Sequence, residues 1–271
     1  MQISVQKFIP YLIVAFIYLS VAITFWRDKK LTNKQSLKLA TSMIAIGLIL
    51  HARLLYQGIF AEGFNLGFYN ALSAIFWLTV LIYWLANLKH QLQSLQAFVL
   101  PPAALFALLP AFEVSNHYLQ DTSQPLFVAH IGVALLAYSL FTFAALHALL
   151  MMFAERSLHN KPTVIKLPDF PPLLVMESLL FRVITVGFVL LTFTLISGML
   201  FSEQIFGKPL TFTHKIVFSI AAWLIYGWLL FGRYQYGWRG RKAINLTLIG
   251  FVLLLLAYVV SKFILQVLLN K

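Results

Sequence analysis

The chain has no cysteine among its 271 residues. Disulfides, thiolate metal sites, iron–sulfur clusters and thiol redox chemistry are therefore excluded. Covalent attachment of a cofactor through a C-x-x-C-H motif is excluded as well. Charge is scarce: 10% of residues are charged, and only eight are acidic. A soluble domain of this size carries about 25% charge. There is also no nucleophile–base pair, no glycine-rich phosphate loop and no carboxylate dyad, so the chain is not expected to be an enzyme.

What is abundant is apolar surface, at 61% of residues. It falls in blocks of roughly the 20 residues a bilayer span requires. The expected fold is an all-α polytopic membrane bundle of eight helices in a single integral membrane domain, residues 1–271. The spans are placed at about 8–26, 38–58, 68–88, 95–112, 126–153, 178–201, 213–232 and 244–268. Pro101, Pro102 and Pro110 are expected to bend the fourth, which a bundle tolerates. The longest loop, 154–174, contains "KPTVIKLPDFPP", whose prolines argue against a continuing helix. There is no internal repeat and no low-complexity tract.

The net charge of +12 does not point to nucleic acid, because the Lys and Arg residues sit in short loops beside spans. Thirteen of the 20 basic residues follow spans one, three, five and seven. The loops after spans two, four and six carry Glu62, Glu113, Asp121 and Glu203, with Lys208 the only base. Eight spans with both termini on the outer side satisfy every loop. The first apolar run is followed, not preceded, by the positive cluster "WRDKK", as in an uncleaved first span.

Histidines stand out against this background. Span two carries His51, span five His130 and His147, and span seven opens as "TFTHKIVF" on His214. At 1.5 Å per residue, His51 lies about 6 Å outward of the midplane, His130 roughly 10 Å and His214 about 13 Å. Three imidazoles from three helices thus share the outer half of the membrane. Each alone fits hydrogen-bonded structure, although intramembrane ionisable groups are functional suspects. Together they fit a metal site: neutral imidazole ligates iron, copper and zinc. Zinc or copper would lack other strong ligands in spans without Cys, Asp or Glu, whereas a planar iron cofactor needs only two axial imidazoles.

The helix phase around these residues is small-residue rich. Four, seven and eight positions after His130 come Ala134, Ala137 and Tyr138, and after His214 come Phe218, Ala221 and Ala222. Gly47 lies four before His51. Such stripes admit a flat cofactor or a neighbouring helix alike. Arg53 is about 200° around the helix from His51 and is expected to snorkel to the outer interface. Arg182, alongside Glu177, is expected at the inner interface. The stretch "GRYQYGWRGRKA", 232–243, reads as an interfacial anchor facing anionic inner-leaflet lipid, or as a docking surface for a cytoplasmic partner.

Three stretches resemble one family: "AHIGVALLAYSLFTFAALHALLMM" (129–152), "LLFRVITVGFVLLTFTLISGMLF" (179–201) and 213–265, which begins "THKIVFSIAAW". They are similar to the cytochrome c assembly protein family of haem-handling membrane proteins, and most like its smaller HemX-like, CcsA-related bacterial inner-membrane members. The resemblance implies haem b held non-covalently near the outer face by histidines, in a protein of cytochrome c maturation or tetrapyrrole control. His130 and His214 match the family's histidines at the starts of these spans and are the implied axial ligands. His51 matches a span-two histidine and is a nearby ligand or supporting residue. No role carries over for His147. The loop "SEQIFGKPLTFT" lacks the tryptophan-rich segment by which other members present haem.

The expected function is haem binding in haem handling or cytochrome c maturation, in the bacterial inner membrane. The expected partners are lipid and haem, with another membrane or cytoplasmic protein of haem metabolism as a further candidate. Two rivals are a scaffold regulating a cytoplasmic tetrapyrrole-biosynthesis enzyme and a histidine-based transporter.

Overall fold

The computed structural model describes residues 5–27, 34–61, 63–90, 92–112, 124–159, 172–206 and 214–260. Its elements are eight α-helices: α1 (Val5–Arg27), α2 (Lys34–Phe60), α3 (Phe68–His90), α4 (Gln96–Leu108), α5 (Pro125–His159), α6 (Leu173–Phe206), α7 (His214–Tyr236) and α8 (Gly240–Leu255). Each carries a segment long and apolar enough to cross a membrane, α4 together with the 3-10 turns at its two ends (span Gln93–Phe112) and α8 together with the turn that follows it (span Gly240–Tyr258). A helix satisfies its own backbone donors and acceptors, which hydrocarbon cannot do for it. The eight expected spans are all present. Helices α5 and α6 run past their expected inner limits, to His159 and back to Leu173. The last expected span reaches beyond residue 260, outside the described residues.

The helices form two compact units. The first comprises residues 1–118 and 153–173, the second 119–152 and 174–271.

In the first unit α1 packs on α2 and α4, and α3 on the same two. Gly47 of α2 lets Tyr18 of α1 lie flat against it; a Cβ there would meet the Tyr18 ring at 2.8 Å. Two indoles tie α3 to the α2 backbone: Trp77 donates to the Leu48 carbonyl at 2.9 Å and Trp84 to that of Thr41 at 3.1 Å. Helix α4 continues through Pro101 and Pro102 and then tightens into a 3-10 turn, Leu109–Phe112, that contains Pro110.

In the second unit Tyr226 of α7 is fully buried. It stacks on Phe141 of α5 at 4.0 Å and donates to the Thr247 carbonyl of α8 at 3.1 Å. Gly250 makes room for its ring, since a Cβ there would lie 2.7 Å away. Trp223 of α7 donates to Thr192 of α6 at 2.9 Å and stacks on Phe188. Helix α8 passes into a π-helical turn, Leu256–Val260, which carries Tyr258. Such turns recur at functional sites.

Candidate functional site

His130 lies about one and a half turns into α5, in the second unit. Its Nδ1 is 2.7 Å from the hydroxyl oxygen of Ser197 on α6. That hydroxyl also lies 2.6 Å from the Phe193 carbonyl and 3.3 Å from that of Thr194, either of which can take its hydrogen. A serine oxygen whose proton is so committed accepts from the imidazole. The matching tautomer of His130 donates from Nδ1 and carries its lone pair on Nε2. A ring N–H donated to a fixed acceptor, with the lone pair on the opposite nitrogen, is the arrangement of a metal-ligating histidine. The small Gly198 flanks the ring; a Cβ there would lie 3.5 Å from Cε1.

His214 is the first residue of α7 and is exposed. The next residue, Lys215, lies within electrostatic reach of His130. The structure thus brings the start of α5, the late part of α6 and the start of α7 to one end of the second unit. Lys215 also sits over the Tyr258 ring, 5.3 Å from its centroid. Tyr258 in turn contacts Tyr138 of α5 at 5.4 Å, and the Tyr138 hydroxyl bonds to Ser219 of α7. Around this end Phe193, Ile196, Leu200 and Val217 expose apolar side chains.

His51 belongs to the first unit and is buried. Both ring nitrogens are engaged there, Nε2 with Ser73 at 2.9 Å and Nδ1 with Tyr18 at 3.4 Å. His147 is fully buried, about 25 Å along α5 from His130. Its Nε2 donates to the Met176 carbonyl of α6 at 2.8 Å, which pins these two helices together. Among the described residues no three His, Asp or Glu side chains gather around one metal-sized point. A planar iron cofactor asks for two imidazoles, and His130 and His214 stand at the same end of the second unit; a three-ligand zinc site finds no support among the described residues.

A family model described as "Cytochrome C assembly protein" matches residues 37–269. The chain belongs to the cytochrome c assembly protein family. It is 31% identical over 230 residues to the inner membrane protein YpjD of Escherichia coli K12, covering 83% of this chain and 84% of that protein. It is 25% identical over 276 residues to the cytochrome c biogenesis protein CcsA of Prochlorococcus marinus AS9601, covering 91% of this chain and 88% of that protein. Eight apolar spans and a relative of this likeness make this family member a multi-pass inner membrane protein.

Two features of this chain escaped the sequence. Ser197, the partner of the His130 Nδ1, is one hydroxyl among many in apolar helices. Glu177, expected beside Arg182 at the interface, is buried and paired with Arg233 and Arg239, partners that the sequence did not announce.

Proposed function

We propose that this family member is a non-enzymatic haem-binding membrane protein, acting in haem handling or cytochrome c maturation. The observation that carries the reading is the 2.7 Å contact of the His130 Nδ1 with Ser197, which suits the ring to ligation through Nε2, at the end of the unit where α7 starts. His130 and His214 would hold a non-covalent haem b through neutral imidazoles. The exposed apolar residues of α6 and α7 would cover it, and Lys215 would supply positive charge for its carboxylates. When bound, the haem supplies an iron centre able to change oxidation state or to be passed on. His51 enters only as a reserve or supporting residue, because it would have to exchange its Ser73 hydrogen bond for iron.

Membership of the family and a relative named for cytochrome c biogenesis support the placement in that process. The test is a haem titration of the purified protein in detergent. Saturable binding is expected in the wild type. His130→Ala with His214→Ala is expected to abolish it, while His51→Ala retains it. Wild-type affinity in the double variant would sink the reading.

A further inference from the structure

Between α7 and α8 the chain turns within three residues, Gly237–Arg239, at the ends of two spans. This turn and its flanks carry four cations, Arg233, Arg239, Arg241 and Lys242. Glu177 of α6, which is buried, meets two of them, Arg233 and Arg239. Its Oε1 lies 3.5 Å from Nη1 of Arg233 and accepts the Gly240 N–H at 3.2 Å. Arg233 also donates to the Trp238 carbonyl at 3.1 Å and lies over the Phe181 ring. Arg233 is thus an internal brace that holds the turn against α6.

The backbone is fixed as well. Gly237 and Gly240 adopt φ of 65° and 55°, in the left-handed region that favours glycine. The Trp238 ring packs directly on Gly232, leaving no room for a Cβ.

The remaining cations face outward from this braced turn. Arg239 keeps 61% of its side chain exposed and touches Glu177 only at 3.9 Å. Lys242 is exposed, and its ammonium sits 3.3 Å from the centroid of the Trp238 ring. No acidic side chain lies in the first turn of α8, and no side chain caps it. Exposed rings surround the cations: Trp228, Phe231, Tyr234 and Tyr236. Tyr and Trp concentrate at the headgroup level of a bilayer, and basic side chains there attract anionic lipid. A protein surface docking in water has no need of this girdle.

We propose that the α7–α8 turn is a preorganised site for the headgroup of an anionic phospholipid. The Arg239 guanidinium takes phosphate oxygens as a planar fork. Lys242 adds a second charge, held in place by Trp238, and Tyr236 and Trp238 lie beside the glycerol. The site is independent of the haem reading and is occupied whether or not haem binds.

The experiment measures lipid retained by the full-length protein after exchange into mixed detergent micelles containing dioleoyl-phosphatidylglycerol or dioleoyl-phosphatidylcholine, read by native mass spectrometry. The wild type is expected to retain the anionic lipid at least about ten-fold better. Each neutralised cation is expected to cost about five-fold, so Arg239→Gln with Lys242→Gln removes most of the preference. Lys38→Gln, on the exposed start of α2, leaves it intact. If the double variant fails to fold, Lys242→Gln alone, and loss of wild-type retention with rising salt, read the same charges. Equal retention of both lipids by the wild type overturns the proposal. So does an undiminished preference in the variants, or displacement of the lipid by soluble glycerol phosphate. Loss of a co-purifying protein in the variants, with lipid preference unchanged, would assign the turn to that partner and overturn it too.

Discussion

The Ser197 hydroxyl stands between the Nδ1 of His130 and the Phe193 carbonyl, at 2.7 Å and 2.6 Å. One short relay therefore orients an imidazole on α5 by means of the α6 backbone. Removing it leaves the ligand atom in place but frees the ring to rotate and change tautomer. Supporting partners of this kind are typically worth 10–100-fold in affinity for the bound metal. Ser197→Ala is expected to weaken haem binding by about ten-fold or more in an equilibrium titration. Ser197→Thr, which restores the hydroxyl, is expected to recover most of it. Identical affinities for Ala, Thr and Ser would remove the relay from the account.

Glu177 is expected to matter for stability and not for haem. Breaking a buried ion pair by removing one partner costs about 3–5 kcal/mol. Arg233 keeps 27% of its side chain exposed, so solvent screening brings the expected loss for Glu177→Ala to about 2 kcal/mol. A lowered melting temperature in detergent, with haem affinity per folded molecule unchanged, is the anticipated pair of results.

The glycines of the second unit differ in what surrounds them. Gly250→Val drives a side chain into the buried Tyr226 ring and is expected to destabilise by about 1–3 kcal/mol. Gly132, inside α5, meets nothing within 4 Å, so Gly132→Ala is expected to melt at or slightly above the wild type, as alanine favours a helix over glycine by up to about 1 kcal/mol. Thermal unfolding of the two variants side by side tests the α7–α8 packing directly.

Within the first unit, Ser73→Ala removes the partner of the His51 Nε2. A buried polar group left unsatisfied costs about 1–3 kcal/mol. The melting temperature should fall while haem affinity stays within two-fold. A large loss of haem affinity with unchanged melting would instead promote His51 to a ligand.

Acid is expected to release haem. Ligation uses neutral imidazole, so a falling pH sets proton against iron for the same lone pair. Binding measured across a pH series should weaken toward the acid side and recover when the pH is restored.

The number of spans was legible because hydropathy is a one-dimensional signal, and each helix closes its hydrogen bonds within its own segment. The limits of α5 and α6 on either side of residues 160–171 were not. Glu155, Arg156 and Glu177 break the apolar runs there, although the helices continue through them. Glu177 is tolerated inside a span because Arg233, 56 positions later, folds back onto it. No local pattern announces such a pairing. The histidines themselves were visible, but their partners were not: Ser197, Tyr18, Ser73 and the Met176 carbonyl all come from other helices. His130 and His51 look alike in sequence. Only the fold distinguishes a ring oriented by a serine relay near an exposed end from one locked on both sides in a core.

The absorption spectrum of the haem-loaded protein, oxidised and then reduced, tests the central claim most directly. Two imidazole ligands predict a low-spin, six-coordinate spectrum in both states. His130→Ala and His214→Ala should each convert it to a high-spin form that readily takes carbon monoxide. A wild-type spectrum that is already high-spin, or one that neither substitution alters, would contradict ligation by this pair.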